Sequence, residues 1–429
     1  MEFSNDAQQM PARFRELKHK IAAQYPDFEN KATTAWGEIL EELAKVSKEI
    51  KAAGSNYIPQ VNFADLDKLT EEDLARIRTR GSVVIKDVVD DAEATEWKNL
   101  LDEFVKKNPV EGFPEGNKQF FQLYWTKSQV QARAHPNVLK ASVWLNNLYK
   151  FKDGKPMDGV DLNVPLTYAD RFRIRHPGGH WDNHPPHVDG GSVERWEEDT
   201  FRACFEDIFS GNWRKHDPYD ITNRVNAKAD VYGRADQASI FRSFQGWLAM
   251  TTIAPHNGTL QVFPNVLLSN SYNMLRPFFT STVSSSDALD AKSWKFDIES
   301  PEIPGVLPFR SGFQGPRPTE ALHPHLRLKD TMTSVPEVNP GDMVFWHCDV
   351  IHAVETEHIG KEDSAVMYIP AVPLTPQNAS YIERQLKAFE DLKSPADYGD
   401  PKNEQTFVGV GTPKDLVDLG ARRAMGLVH

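Results

Sequence analysis

Apolar residues recur at helical spacing in the first part of the chain. Between residues 31 and 53 they follow one another at intervals of three and four, at Ala35, Ile39, Leu43 and Val46. This period marks one face of an amphipathic α-helix, and Gly54 is a suitable stop. A second helix is predicted to begin near Thr70, which forms a capping box with Asp73. Further helices are predicted over residues 92–107, 136–149 and 379–392.

Short β-branched and apolar runs follow and predict strands. The first covers residues 82–89, and Arg171 to Arg175 alternates basic against apolar side chains. Further strands are predicted within residues 240–253, 259–263, 343–346 and 365–369. Helices that precede a set of strands indicate the α+β class and not a repeating βαβ unit.

Two long polar stretches, residues 192–236 and 284–332, have no regular period and are interpreted as insertions. The predicted organisation is a helical extension over residues 1–80, a core over 81–375 that contains both insertions, and a helical tail over 376–429 packed on the core. Because loops around a rigid scaffold carry specificity, we expect the insertions to shape a substrate pocket.

Composition narrows the range of partners. The 429 residues include 61 acidic and 49 basic side chains, a formal charge of −12, which argues against a nucleic-acid partner. No stretch approaches the ~20 apolar residues of a membrane helix, and the amino terminus lacks a secretory apolar segment. Two cysteines are too few for a disulfide framework. We therefore expect a cytoplasmic protein that acts on a small molecule; its oligomeric state is left open.

The strongest candidate for chemistry is a metal site. In an extended segment the side chains of His187 and Asp189 point to one face, and His352 arrives from a distant strand. Two histidines and one carboxylate leave open positions on an octahedral ion, which suits Fe(II) and oxygen activation. A His-x-Asp pair alone is weak evidence, since about one is expected by chance in a chain of this composition. Residues 347–349 contain a second one, in which His347 is interpreted as structural or supporting.

Three sequence blocks add context to the metal motif. They are the strand with Trp247-Leu248-Ala249-Met250, the turn Asn257-Gly258-Thr259-Leu260, and Pro340-Gly341-Asp342 followed by an apolar strand before His352. In this order they resemble the double-stranded β-helix of Fe(II)/2-oxoglutarate oxygenases, particularly the phytanoyl-CoA-hydroxylase-like branch. Over nearly its full length the chain resembles the YbiU-like family of oxygenase-like proteins, through residues 241–247, 323–326, 346–349 and 368–370.

The resemblance implies both a fold and an activity. The core would be a double-stranded β-helix of the jelly-roll or cupin-like kind, with a helical amino-terminal region and long insertions. His187, Asp189 and His352 would hold Fe(II), with 2-oxoglutarate and O2 as co-substrates. The expected reaction is oxidation, by default hydroxylation, of a small molecule while 2-oxoglutarate is converted to succinate.

One departure concerns the 2-oxoglutarate site. The resembled oxygenases usually hold the distal carboxylate with an arginine about ten residues after the second histidine, but residues 353–366 contain no arginine. A guanidinium is the natural bidentate partner of a carboxylate. The candidates are Arg242 first, then Arg175 and Arg173, with Lys361 as a point charge and Thr251 and Ser364 as hydroxyl contacts.

Other functions remain open at this point. The missing arginine motivates a cupin-like metal enzyme that does not use 2-oxoglutarate, and a non-catalytic binding or scaffold protein is a third reading. A helical zinc site through His184 and His187 is disfavoured, because Pro185 and Pro186 separate them. His323 and His325 are weaker candidates for substrate contacts.

Overall fold

The computed structural model describes residues 9–283, 288–399 and 402–428 of the chain. Helices and strands are both well represented, so the predicted α+β class is confirmed. The helices are Arg13–Gln24, Phe28–Ala53, Glu71–Arg80, Asp91–Lys107, Lys127–Arg133, Pro136–Asn146, Glu194–Glu197, Asp199–Ala203, Glu206–Phe209, Val266–Leu275, Leu328–Thr331, Pro376–Glu390 and Leu419–Ala424.

A large sheet organises the molecule. Within the described ranges it has eight strands, in the order Gln60–Asn62, Ser82–Lys86, Met343–His347, Phe244–Ala249, Ser364–Tyr368, Phe172–Arg175, Phe120–Phe121 and Gly112–Phe113. The first two strands pair in parallel and all the others pair antiparallel. The central strands are buried on both faces, which explains their nearly continuous apolar sequences.

A small sheet lies across a cavity from the large one. Its strands are Thr333–Ser334, Leu260–Val262 and His352–Val354, paired antiparallel in that order. Arg173 of the large sheet donates a hydrogen bond to the carbonyl oxygen of Gly258, just before the small sheet, at 3.1 Å. Residues of both sheets line one cavity. Three two-stranded ribbons complete the strands: Asp161–Leu166 with Val372–Leu374, Phe279–Ser281 with Trp294–Phe296, and Leu307–Phe309 with Gly312–Gln314.

Most predicted elements are present with shifted ends. The capping box is observed, since the Thr70 side chain accepts from the Asp73 backbone N–H and the Asp73 carboxylate accepts from that of Thr70. The helix Val266–Leu275 was not predicted. Nearly all of its residues are buried, so it lacks the polar face that helical periodicity depends on.

The predicted insertions are ordered where the structure describes them. They contain the short helices between Glu194 and Phe209, the ribbon Leu307–Phe309 with Gly312–Gln314 and one strand of another, Trp294–Phe296. They pack against the amino-terminal helices in one hydrophobic cluster. Trp36 of the long helix stacks on Phe279, with ring centroids 4.6 Å apart. The amino-terminal helices therefore pack mainly against the insertions, and less against the large sheet. Residues 284–287 of the second insertion lie outside the described residues.

Among the described residues, no helix combines the length and the apolar composition that spanning a membrane requires.

Candidate metal centre

The backbone brings His187 and His352 together. His187 lies in the Pro- and Gly-rich loop after strand Phe172–Arg175, and His352 begins a strand of the small sheet. The two residues exchange backbone hydrogen bonds, both with N···O distances of 2.9 Å. Their imidazole centroids are consequently only 4.2 Å apart. Residues 165 positions apart in the chain are thus fixed side by side by the pairing of their main chains.

Asp189 completes a cluster of three metal-type ligands. Its two carboxylate oxygens lie 3.7 Å from Nε2 of His187 and 3.5 Å from Nε2 of His352. One potential ligand atom from each residue lies within 4.8 Å of the others. This spacing allows one ion to contact all three side chains. The structure therefore brings together the three residues that the sequence predicted as a triad.

Main-chain carbonyls orient both imidazoles. Nδ1 of His187 donates to the oxygen of Pro185 at 2.7 Å, and Nδ1 of His352 donates to that of Val350 at 3.1 Å. Because a carbonyl oxygen can only accept, each ring carries its proton on Nδ1 and leaves Nε2 free as a ligand atom. This support of the ring is the usual arrangement around metal-binding histidines.

Two further side chains hold Asp189. With its amide nitrogen turned toward Asp189, Gln245 donates to Oδ2 at 2.8 Å and accepts from Nε1 of Trp346 at 3.2 Å. Arg195 donates to the backbone oxygen of Asp189 at 2.8 Å and, through its other terminal nitrogen, to the carboxylate of Asp349 at 2.8 Å. The carboxylate of Asp189 and the backbone of the same residue are therefore held by two different side chains.

The electrostatics keep His187 and Asp189 in their metal-binding protonation states. Burial, reinforced by the neighbouring His352, lowers the pKa of His187 to about 4. Burial alone would raise the pKa of Asp189, but the two histidines hold it well below its usual range. At neutral pH the site thus presents a neutral imidazole at His187 and an ionised carboxylate, as metal binding requires.

The second His-x-Asp sequence forms a different structure. Nε2 of His347 donates to the oxygen of Pro218 at 3.0 Å, and Nδ1 accepts from the backbone N–H of Asp349 at 3.1 Å. The Asp349 carboxylate, 1% exposed, accepts from Arg195, Arg224 and Asn270. With both ring nitrogens and the carboxylate engaged, this group fits the structural role that the sequence suggested for His347.

The metal-type cluster opens into a cavity of about 390 Å³ between the two sheets. Aromatic side chains form much of its wall: Phe113, Phe120, Tyr168, Trp247, Trp346, Tyr368 and Tyr398. Five arginines also reach it: Arg171, Arg173, Arg234, Arg242 and Arg317. A cavity whose wall combines aromatic side chains with convergent charged groups suits a polar small molecule.

Arg242 and Arg173, two of the arginines predicted for 2-oxoglutarate, line this cavity. The guanidinium of Arg242 lies 5.5 Å from the ring centroid of Tyr168. Arg173 is 2% exposed, and its Nε and Nη1 atoms have no hydrogen-bond partner in the described structure.

The other predicted 2-oxoglutarate residues lie outside the cavity wall. Arg175 donates to the backbone oxygens of Glu355, Gly179 and Thr356, which is a structural role. Thr251 accepts from the backbone N–H of Ala365, and Ser364 is buried without lining the cavity. Their contact with 2-oxoglutarate stays a prediction.

Sequence reasoning passed over several residues of the site. Arg234 and Arg317 lie in the two insertions, where no motif marks them, and Gln245 was noted only as part of a strand block. His184 lines the cavity but accepts from Nε1 of Trp181 at 2.8 Å through its Nδ1. His323 and His325 are buried in the second insertion and do not line the cavity.

Fold and site together define an α+β protein with a two-histidine, one-aspartate centre of the metal-binding type at the wall of a cavity between the two sheets. The chain belongs to the Gig2-like family, whose model matches residues 8–427. It is 31% identical over 433 residues to the uncharacterised Escherichia coli K12 protein YbiU, covering 97% of this chain and 96% of that protein.

Solved structures of similar proteins have the same fold. The crystal structure of GlcNAc Inducible Gene 2 from Candida albicans matches with a TM-score of 0.87 and 31% identity, covering 99% of this chain and 91% of that one. A Salmonella typhimurium LT2 protein, described as a proposed oxidoreductase, matches with a TM-score of 0.79 and 26% identity, covering 98% and 99% of the two chains.

Proposed function

We propose that the protein is a mononuclear non-haem Fe(II), 2-oxoglutarate-dependent dioxygenase that hydroxylates a small molecule, built on a double-stranded β-helix of which the two facing sheets are the walls. The observation that carries the proposal is the placement on one cavity of a His-Asp-His cluster and of a buried arginine, Arg173, two of whose guanidinium nitrogens have no hydrogen-bond partner among the described residues.

The donor set fits Fe(II). Two imidazole nitrogens and one carboxylate oxygen lie within 4.8 Å of one another, and all three residues line the cavity. Such a set leaves coordination positions for a chelating co-substrate and for O2. A structural zinc site would instead be closed by four protein ligands.

Arg173 supplies the charge that the sequence lacks after His352. Arg173 pairs with Val366 on the neighbouring strand Ser364–Tyr368, which is the next strand after His352 in the chain. One terminal nitrogen donates to Gly258, which leaves Nε and Nη1 for another acceptor. A buried cation with unsatisfied N–H groups is costly unless a ligand binds it, and a carboxylate matches this fork. We therefore assign the distal carboxylate of 2-oxoglutarate to Arg173, with Arg242 as the competing residue.

The chain's own groups would divide the work. His187, Asp189 and His352 hold the metal, Arg173 orients the keto acid, and the aromatic wall excludes water from the reacting groups. When bound, Fe(II) supplies oxygen activation coupled to the oxidation of 2-oxoglutarate to succinate and CO2. Gln245 and Arg195 keep Asp189 in position during this chemistry.

The test is an anaerobic titration of the apoprotein with Fe(II) and then 2-oxoglutarate, monitored by the visible charge-transfer absorption of a chelated keto acid. Wild type should develop the band, and Arg173→Gln should bind the keto acid roughly tenfold or more weakly with unchanged Fe(II) affinity. Arg173→Lys should be intermediate. Lys361→Gln is the matched control, because Lys361 is exposed and outside the cavity.

Three results would redirect the assignment. A loss of the band in Arg242→Gln but not in Arg173→Gln would move the carboxylate site to Arg242. Fe(II) binding without any band would favour a metal-dependent enzyme that uses no keto acid, the reading motivated by the arginine-free residues 353–366. Failure of the apoprotein to bind Fe(II) would remove the oxygenase proposal altogether.

A further inference from the structure

Two cavity arginines lack a role in the proposed iron and keto-acid chemistry. Arg234 comes from the end of the first insertion and Arg317 from the second. Nε of Arg234 donates to Gln237 at 3.1 Å, and its terminal nitrogens have no acceptor among the described residues. The Arg317 side chain likewise has neither a hydrogen bond nor an ion pair within residues 9–283, 288–399 and 402–428.

The acidic residues of the cavity are already engaged. Asp170 accepts from Nε of Arg171 at 3.1 Å, and Asp236 lies 3.6 Å from the exposed Arg310. Asp189 belongs to the metal-type cluster. No carboxylate of the described cavity wall therefore pairs with either Arg234 or Arg317.

The charge of Arg234 acts on Arg317. Burial holds the pKa of Arg317 below its usual range; the nearby Asp189 carboxylate opposes this shift, and the charge of Arg234 adds to it. Burial likewise lowers the pKa of Arg234. Neither partly buried guanidinium forms an ion pair with a carboxylate of the described residues, and a bound anion would offset the cost of burying the two charges.

Charge balance leaves these arginines for the substrate. In the proposed oxygenase, Fe(II), the Asp189 carboxylate, the 2-oxoglutarate dianion and Arg173 together carry no net charge. Arg234, Arg317 and Arg242 then remain as positive charges on the same cavity without an ion-pair partner among the described residues, and of these only Arg242 is a competing candidate for the keto acid. The keto acid consequently does not account for Arg234 and Arg317.

Arg317 is also fixed close to the metal ligands. The backbone N–H of Val188, between His187 and Asp189, donates to the oxygen of Pro316 at 2.9 Å. If Arg317 binds the anionic group of a substrate, the rest of that substrate molecule would stay within the cavity that the metal cluster faces.

We propose that Arg234 and Arg317 form an anion subsite, and that the substrate is an organic anion whose carboxylate or phosphate group binds there. The role of this group as part of the oxidised substrate rests on the proposed function; the subsite itself does not. The two insertions would thus set substrate specificity by contributing one arginine each, while Arg173 serves the co-substrate.

The test uses metal-free full-length protein and measures the rise in thermal unfolding midpoint with sodium phosphate or sodium acetate, at an ionic strength matched with sodium chloride. Ligand binding raises the midpoint in a concentration-dependent way, which yields a Kd. Arg317→Gln, Arg234→Gln and the double variant are compared with Arg214→Gln, a control in the first insertion that is exposed and outside the cavity. Arg173→Gln is measured in parallel.

We expect saturable binding in wild type, a Kd raised roughly tenfold or more in each subsite variant, and no change in Arg214→Gln. A preference for phosphate would indicate a phosphorylated substrate, and a preference for acetate a carboxylic acid. Equal responses of wild type and the double variant would overturn the proposal, as would a response lost only in Arg173→Gln.

The iron titration separates this inference from the proposed function. Arg317→Gln should retain the keto-acid band of wild type, because Arg173 is intact. If no variant shows the band but anion binding is still lost in Arg317→Gln, the oxygenase proposal fails and the anion subsite stands.

Discussion

At the scale of single residues, Asp189 is held by two side chains that do not bind metal themselves. Gln245 donates to its carboxylate, and Arg195 to its backbone oxygen. Gln245 is in turn fixed by Nε1 of Trp346, a neighbour of His352 with ring centroids 5.2 Å apart. The geometry of the centre therefore depends on residues beyond the three ligands.

Replacing Gln245 should weaken metal binding without unfolding the protein. Gln245→Leu removes the hydrogen bond to Asp189 and keeps a similar volume, so we expect Fe(II) affinity to fall about tenfold. The Fe(II) affinity of each variant is measured by anaerobic titration calorimetry. Gln261→Leu is the control, because Gln261 lies on a strand of the small sheet and bonds to Ser334. Unchanged affinity in Gln245→Leu would show that this hydrogen bond does not position the ligand.

The sequence predicted the three metal-type ligands but left open which arginine would hold a keto acid beside them. The motif His187-x-Asp189 is local, and His352 follows a recognisable turn and strand. The alternation at Arg173 and Arg175 was also visible, yet its basic face is buried between the sheets. Which arginine reaches the cavity depends on the partners of each guanidinium, and these come from distant loops.

At the scale of elements, the segment after strand Met343–His347 links the first insertion to the loop that carries His187 and Asp189, here called the metal loop. Asp349 accepts from Arg195 and Arg224, both in that insertion, and all three side chains are at most 5% exposed. A buried carboxylate between two guanidinium groups is strongly coupled to its partners.

Removing Asp349 should destabilise the fold. Asp349→Ala leaves two buried guanidinium groups without their carboxylate, so we expect the free energy of unfolding to fall by about 3–5 kcal/mol. Urea denaturation of metal-free protein measures this change. Asp199→Ala, which removes a 70% exposed carboxylate, should have little effect. If the two variants were equally stable, the network would not hold the insertion.

Helical periodicity predicted helices that have one solvent-exposed face, but it did not predict a helix that is buried on all sides. The amphipathic helix Phe28–Ala53 was predicted from its stripe of apolar residues. Val266–Leu275 is surrounded by protein, and its sequence mixes apolar and small polar residues without a stripe. The insertions failed to show a pattern for the same reason, because their short elements pack on each other and on the amino-terminal helices.

At the scale of the whole molecule, a set of buried neutral histidines links stability to pH. Burial lowers the pKa of His323, His325 and His347 to about 3 and that of His216 to about 4. In the unfolded chain each would titrate near ~6.5. Below that pH the unfolded state binds protons that the folded state excludes, so acid favours unfolding.

The free energy of unfolding should therefore fall as the pH drops from about 6.5 toward 4, by up to about 1.4 kcal/mol per pH unit for each histidine. Glu404 opposes this trend, because burial raises its pKa to about 7 and the folded state retains its proton. Urea denaturation with a chelator present, between pH 7.5 and 4.5, measures the slope. His325→Phe should flatten it and His19→Gln, at an exposed position, should not. A stability that is constant over this range would contradict the account.

The whole-molecule arrangement also explains why the sequence predicted that the insertions shape a pocket but not which residues line it. Its wall combines both sheets, the metal loop and both insertions, and the amino-terminal helices support the insertions from outside. Such a site is assembled from contacts between segments far apart in the chain, which residue spacing does not encode.

The central claim is that His187, Asp189 and His352 bind one metal ion. The most direct test is a crystal structure of protein loaded anaerobically with Fe(II), with anomalous data collected on both sides of the iron absorption edge. The account predicts one iron peak in contact with Nε2 of both histidines and an oxygen of Asp189, and no such peak in Asp189→Asn. Iron bound elsewhere, or no peak at this cluster in fully loaded protein, would contradict it.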